Sequence, residues 1–458
     1  MNLSCWTRRR DAEWDSRFSR WNGSPQSCKR NGYRMNKIAF NVVVFSCVTG
    51  MFCAPTVADE AMTVSRFVDG IAVNTHVNYT DGAYANLKNV RDDLVWLGVS
   101  HVRNAAPGGS APISSYLYLA RAGIKFDFTV RPDVTQSLAQ IRLVEAVSPG
   151  SVEAVEGLNE INNWPVTYGG LTGEAAGLAA QQAIYAFVHG DASLAGVPVY
   201  DLTGYDLQRV TSGSGAADYA NQHVYPQNGE QPGYNANGDA WMGAGIKGLA
   251  KMGLPMVITE FGYFSLPQSG WYQIGVDEES QAKGILNGVL DAAISGVSRL
   301  YLYELLDEKA DRPRVDAGMH YGLFSFDNRA KPAAMALHNL IAILKANDDT
   351  ALQRGDGRAW RYTLPDLPPS ARSLLLRKAD GTFVLALWNE TPFWDRARGT
   401  PLTSAPVPVS VDLGRTATRV TVYDPLSGSA AIQTQQNVKQ VRVDVPDHPV
   451  LLKVVFPD

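Results

Sequence analysis

From residue 66 to 346 the chain alternates short apolar, β-prone runs with longer amphipathic stretches. The short runs, at 70–74, 101–104, 125–131, 152–159, 197–203, 219–224, 256–260 and 299–304, read as strands. Between them apolar residues recur at helical spacing. In 84–97, Leu87, Val90, Leu94 and Leu97 follow at three- and four-residue steps, and 114–122, 136–147, 172–189, 239–251, 278–295 and 332–345 have the same character. Only the connection after the fifth strand, around 205–215, is irregular. Eight strand–helix units in about 280 residues suit a (β/α)8 TIM barrel, whose usual length is about 250 residues. An open doubly wound sheet offers fewer strands and carries a nucleotide fingerprint that is absent here.

After about residue 350 the pattern changes to short β-rich runs at 360–364, 373–377, 382–389, 407–412, 419–423, 438–445 and 450–456. Pro, Gly, Asp and Ser separate them, and no helical period intervenes. The expectation is a smaller all-β sandwich over 350–458, packed on a barrel over 59–346.

Charge and cysteine content set the N-terminal 58 residues apart. Residues 1–58 hold nine Lys/Arg and three Asp/Glu, so this segment is +6 in a chain whose net charge is −4, and 59–458 carry −10. An acidic body argues against nucleic acid as a partner, because phosphate binding wants a basic face. Met35-Asn36-Lys37, the apolar run 38–52 and Thr56-Val57-Ala58 have the basic start, hydrophobic middle and small-residue end of a secretory signal. Residues 1–34 then read as an extension upstream of a start at Met35. The apolar run is interrupted at Ser46, Cys47 and Thr49 and is short for a stable membrane span. The alternatives are a tethering signal anchor or a lipid anchor at Cys53, the latter disfavoured by bulky Phe52 before it. A secreted or periplasmic protein is expected, cysteine-free once processed, because Cys5, Cys28, Cys47 and Cys53 all precede residue 59. No Cys/His cluster has zinc spacing and no glycine-rich phosphate loop occurs, so neither metal nor organic cofactor is expected.

The candidate chemistry lies in two segments: Glu156-Gly157-Leu158-Asn159-Glu160 and Val257-Ile258-Thr259-Glu260. Each is a β-prone run that ends in a carboxylate. Strand ends on the C-terminal face are where α/β barrels keep their active residues. Hydrolysis of a glycosidic bond with retention needs two facing carboxyl groups, one to protonate the leaving oxygen and one to attack the anomeric carbon. The bland alternative is that both are ordinary surface acids among the chain's 45 Asp and Glu.

With Asn159-Glu160 ending strand 4 and Glu260 ending strand 7, residues 66–346 resemble the retaining glycoside hydrolases of clan GH-A. The appended β-sandwich resembles the family 39, family 30 and family 5 types. The resemblance implies Glu160 as acid/base, Glu260 as nucleophile and Asn159 as a donor to the sugar 2-hydroxyl. Arg103, in Val102-Arg103-Asn104, is similar to the clan's strand-2 arginine and would hold Glu260. His223 and Tyr225 resemble its strand-6 His-X-Tyr, with the tyrosine on the nucleophile and the histidine near the sugar or the acid. Strand 8 departs from the clan's tryptophan: it reads Tyr301-Leu302-Tyr303-Glu304, so Tyr303 offers the aromatic face and Glu304 a hydroxyl contact, unless one of these acids caps the next helix.

On strand 1, His76 and Tyr79 are further candidates for sugar contacts. An acid that stays protonated until departure needs a raised pKa from a low-dielectric wall and the second carboxylate, and Trp164 is a candidate for that wall. Tyr168, Tyr234, Trp241, Tyr263, Trp271 and Tyr272 are placed in loops at the same end, although Trp241 equally suits helix packing.

The expected activity is double-displacement cleavage of O-glycosidic bonds in an oligosaccharide or polysaccharide. Two rivals remain from other classes: a noncatalytic carbohydrate-binding barrel of an exopolysaccharide or envelope system, and a structural envelope protein carried by its β-sandwich. Loop shape, which sequence does not give, decides the sugar and whether attack is terminal or internal.

Overall fold

The computed structural model describes residues 61–204, 215–227, 229–233, 240–269, 275–346 and 359–457. The expected signal segment with its cysteines and positions 205–214 of the irregular connection lie outside the described residues. All eight expected barrel strands are present: β1 (Ile71–Asn74), β2 (His101–Ala105), β3 (Lys125–Thr129), β4 (Val152–Glu156), β5 (Val199–Tyr200), β6 (Ala220–His223), β7 (Met256–Phe261) and β8 (Val297–Leu302). They form one parallel sheet in the order β5-β4-β3-β2-β1-β8-β7-β6. A parallel bridge between Tyr200 and Tyr219 joins its two ends, with Asp218 N donating to Val199 O at 2.8 Å. The ring is therefore closed as a (β/α)8 barrel.

Helices follow where the periodicity places them: α1 (Leu87–Leu97), α2 (Ile113–Ala120), α3 (Val134–Val147), α4 (Gly173–Gly190), α5 (Trp241–Ala250), α6 (Glu278–Ile294) and α7 (Pro332–Lys345). Asp133 and Asp277 cap α3 and α6, accepting from the backbone N–H of Gln136 and Ser280.

Strand parity sorts the side chains. Ile71, Val73, Val102, Phe126, Phe128, Val155, Ile258 and Leu300 face outward and bury against the helices in the main core. Ala72, Ala154, Tyr200, Val257 and Tyr301 form a separate inward layer. Polar residues one step further along the strands, Asn74, Arg103, Glu156, Asn221 and Thr259, are buried above that layer and support the C-terminal mouth.

The C-terminal region is antiparallel: β9 (Ala371–Arg377), β10 (Phe383–Asn389), β11 (Val407–Tyr423), β12 (Ala431–Val445) and β13 (Val450–Val455). The runs at 407–412 and 419–423 are one 17-residue strand rather than two. What reads as a turn is an irregularity in the pairing between Asp412 and Ala417, where Gly414 takes φ +70 and a Cβ would lie 2.6 Å from Arg361 O. Val409, Val411 and Leu413 from one half and Val420 and Val422 from the other enter the same core as Leu385 and Leu452, so a single folded-over sheet supplies both layers. The expected strand at 360–364 contributes an isolated bridge at Thr363, while Trp360 and Tyr362 fill the core.

An N-terminal pair, Met62–Thr63, adds a parallel strand beside β9, and a six-residue helix, Val64–Asp69, leads into β1. The opposite face of the β sheet, with Leu374, Leu376, Val384, Ala386 and Trp388, packs on the barrel's core. No helix among the described residues is long and apolar enough to cross a membrane.

Candidate active site

Glu160 and Glu260 come together at the C-terminal mouth. Glu160 stands four residues beyond the end of β4 with φ +42, a left-handed conformation unusual for a residue with a side chain. Its backbone N–H donates to Thr203 Oγ1 at 3.0 Å, and its carbonyl accepts from the N–H groups of Asn163 and Trp164, both at 2.8 Å. Glu260 is the penultimate residue of β7, paired in register with His223 at the end of β6. A carboxylate oxygen of Glu160 lies within 4.8 Å of one of Glu260, with His223 between them. His223 Nδ1 is 2.9 Å from Glu160 Oε1 and 3.4 Å from Glu260 Oε2. Its Nε2 faces the N–H-bearing Nη2 of Arg103 at 3.5 Å, so the proton of a neutral ring belongs on Nδ1, where it serves the carboxylates.

Arg103 organises the floor. Its Nη1 donates to Glu260 Oε1 at 2.6 Å and to Asn74 Oδ1 at 3.0 Å, and its Nη2 donates to Asn159 Oδ1 at 2.6 Å. The amide NH2 of Asn159 is thereby turned away from the guanidinium. The other edge of the fork is bidentate on Glu156, Nε to Oε2 at 2.6 Å and Nη2 to Oε1 at 2.9 Å. Tyr225 closes the other side of Glu260, donating to Oε2 at 2.6 Å.

The wall from β1 and β8 is acidic and aromatic. Tyr303 packs edge-on to Tyr225, Tyr321 and His76, and His76 stacks on Tyr79 at 4.6 Å between centroids. Glu304 is fully buried; its Oε2 accepts from Tyr84 at 2.8 Å and lies 3.3 Å from His76 Nε2. Glu304 Oε1 has no hydrogen-bond partner among the described residues. Burial, with Glu308 beside it, raises the Glu304 carboxyl well above the usual range, and burial lifts Glu308 itself to about 7. Burial holds His76 down at about 4, so its ring stays neutral. His76, Glu304 and Glu308 offer donor atoms close enough to share a cation, as do Glu160, His223 and Glu260.

Two expectations need correction. Trp164 is 45% exposed, so it sits at the rim and builds no low-dielectric wall around Glu160; Pro165, which follows it, is exposed as well. Nor is Glu160 raised in the free protein. Burial pushes its carboxyl up, but the hydrogen bond and charge of His223, then Asn163 and Arg103, outweigh burial and leave it below its ordinary value.

The remaining aromatic candidates divide. Tyr263 is buried with its hydroxyl on Glu230 O, and Trp241 packs half-buried against the main core, as does Tyr168. Tyr234, Trp271 and Tyr272 lie outside the described residues.

Residues not singled out from sequence complete the site. Glu156 and Asn74 contact Arg103 and Glu308 contacts His76, while Thr259 Oγ1 lies 3.2 Å from Glu156 Oε1 and 2.9 Å from Asn221 Oδ1. A signal for Glu156 did exist: buried parallel strands read as nearly continuous apolar runs, so a carboxylate inside Val152–Glu156 is out of place unless it points into a polar interior.

The fold is that of a (β/α)8 barrel bearing a β domain. It is similar to a family 39 glycoside hydrolase from the gut symbiont Bacteroides cellulosilyticus, with a TM-score of 0.57 and 14% identity over 87% of this chain and 83% of that one. At that identity the likeness is one of fold. A family 17 β-1,3-glucanosyltransferase from Rhizomucor miehei matches at TM-score 0.45 and 15% identity over 58% of this chain and 96% of that one. A β-glucuronidase from Bifidobacterium dentium matches at 0.43 and 18% over 59% and 46%. Scores this low carry nothing further. No family model matches the sequence, and no curated protein does.

Proposed function

We propose that the protein is an exported retaining glycoside hydrolase acting on an oligosaccharide or polysaccharide, with Glu260 as nucleophile and Glu160 as acid/base. The observation that carries this reading is the carboxylate separation, within 4.8 Å between oxygens. An approach this close favours the retaining arrangement, with carboxyl groups roughly 5–5.5 Å apart, over the inverting one at about 6.5–9.5 Å. The division of roles follows from the partners. Glu260 takes charge-assisted donors on both oxygens, from Arg103 and Tyr225, which suits a group that must stay ionised and aimed. Glu160 is held by His223 and by a longer contact from Asn163 Nδ2 at 3.2 Å.

In the first step Glu260 attacks the anomeric carbon while Glu160 gives its proton to the departing glycosidic oxygen. In the second Glu160 takes a proton from water, the resulting hydroxide attacks the same carbon, and Glu260 leaves as carboxylate. For the first step Glu160 must hold a proton, and a sugar that draws the His223 N–H to itself removes the contact that most favours the charged form. Export is supported by the basic, then apolar, then small-residue pattern over 35–58.

The test is a screen of the purified protein against plant and bacterial glycans, with Glu260→Ala as blank and NMR of the first-formed anomer. Retained configuration, absent from the blank, is expected. Equal turnover in the blank, or an inverted first product, overturns the reading.

A further inference from the structure

Glu156 ends β4, is fully buried, and hydrogen-bonds to Arg103, Thr129 and Thr259 rather than to Glu160 or Glu260. It nevertheless takes the whole Nε–Nη2 edge of Arg103, which leaves that guanidinium with Nη1 for Glu260 and the second Nη2 proton for Asn159. We infer that Glu156 is a positioning residue for the glycosidic reaction: it fixes the rotation of Arg103 and divides its charge, so that Glu260 is aimed without being over-stabilised as an anion. This inference rests on the glycosidase reading above.

Three observations support it. A planar fork bound bidentately on one edge has no rotational freedom left, so the direction of Nη1 is set by Glu156. Thr259 and Thr129 hydroxyls, at 3.2 and 3.4 Å, hold Glu156 from the neighbouring strands β7 and β3. Below it Asp127, paired in register with Arg103, is buried, and burial together with the nearby Glu156 pushes its carboxyl well above the usual range, so it adds no second negative charge. The charged and titratable groups around Glu156 thus run from nucleophile to barrel floor as Glu260 negative, Arg103 positive, Glu156 negative and Asp127 neutral, with His223 beside Arg103. Two carboxylates share one buried guanidinium. Removing the lower one would throw the full positive charge on Glu260, a weaker nucleophile in consequence, and would free the fork to turn.

The test compares wild type, Glu156→Gln and Glu156→Asp, each checked by thermal melting, on a panel of 4-nitrophenyl glycosides. For the Gln variant we expect kcat to fall about a hundredfold, the size of a misplaced reacting group, with KM nearly unchanged and the acid limb of the rate profile displaced to lower pH. The Asp variant keeps the charge and should return the acid limb to its wild-type position. A Gln variant with unchanged kcat and acid limb overturns the inference. So does a loss that tracks only melting temperature with the acid limb in place. The 15N resonances of His223, whose Nε2 lies 3.5 Å from Arg103 Nη2, give a readout without substrate, expected to move in Gln and return in Asp. If wild type cleaves no glycoside, the glycosidase reading fails by itself, and an unmoved His223 signal in the Gln variant still decides against Glu156. If the Gln variant does not fold, the Asp variant decides alone: its withdrawn carboxylate should lower kcat with KM and acid limb held, and wild-type kcat would refute the positioning role.

Discussion

The hydroxyl of Tyr225 donates to Oε2 of Glu260 at 2.6 Å, while the guanidinium of Arg103 donates to Oε1 at the same distance. The carboxylate is thus gripped on both oxygens from opposite strands, β6 and β2, and its plane is fixed. Hydrogen bonds to a charged group are worth about 1.5–3 kcal/mol. Tyr225→Phe keeps the ring packed against Tyr303 and Tyr321 and removes that one bond. It should lower kcat/KM by roughly 10- to 100-fold without lowering the melting temperature by more than about 2 °C. Steady-state kinetics beside a melting curve check it; full activity in the variant would show that Arg103 alone secures the nucleophile.

The two roles can be separated chemically. With a 4-nitrophenyl glycoside the leaving group needs no proton, so Glu160→Ala should still form the glycosyl-enzyme and stall at its hydrolysis, losing about 10²- to 10⁴-fold in kcat. Azide, small enough to occupy the space of the lost carboxylate, should accelerate this variant and yield a glycosyl azide of retained configuration. In Glu260→Ala azide would instead attack the substrate and give the inverted azide. Product NMR distinguishes the two, and the opposite pairing of variant and product exchanges the assignments.

How far the sequence went is clear from particular residues. The eight strands were legible because each is a short apolar run bounded by turn residues, with helical period between. Glu160, Glu260, Arg103, His223 and Tyr225 were legible because they lie in or just beyond the C-terminal parts of strands, and the closed ring brings those parts to one mouth. Asn74 was not, and Glu156 was legible only as a carboxylate out of place in a buried strand, because the inward direction of both depends on strand parity and register, which a one-residue slip would reverse. Likewise, Gly414 reads equally as a turn or as an irregularity inside a strand, and only its pairing on β12 decides. The downward shift at Glu160 was illegible because it depends on a His223 contact made across 63 positions of chain.

Where the β domain meets the barrel, Asp291 of α6 and Glu390 are both buried, and Trp388 Nε1 donates to Asp291 Oδ1 at 3.2 Å. Burial, and then the charge of Glu390, hold Asp291 well above its ordinary value; burial raises Glu390 as well. A carboxyl raised on folding lends stability that is complete below its unfolded value, near 3.9, and is lost as pH rises through the folded one. Asp291→Asn keeps the acceptor for Trp388 and provides an amide donor beside Glu390. The variant should melt higher than wild type by about 2 °C or more at pH 8, with a smaller gap at pH 5. Parallel melting curves across that range would show that the pair does not resist ionisation.

His448 titrates in the opposite sense to a buried lone histidine. Burial disfavours its charged form, but Asp424 on Nε2 at 3.1 Å and Asp447 on Nδ1 at 3.0 Å outweigh burial and raise it above its ordinary value. Asp447 also meets Lys283 of α6 at 3.1 Å, and its carbonyl accepts from Asn287, so the imidazolium helps to hold the β domain's edge on the barrel. A histidine raised on folding contributes stability that is full below about pH 6.5 and is lost as pH climbs through the higher folded value. The same contacts hold Asp424 near 2, so its own contribution is lost progressively only below about pH 5 and leaves the neutral range to His448. His448→Gln should therefore melt lower than wild type by about 3 °C at pH 6, and the difference should shrink towards pH 9. A deficit that is the same at both pH values would mean that packing, not the charge shared with Asp424 and Asp447, is what this side chain provides.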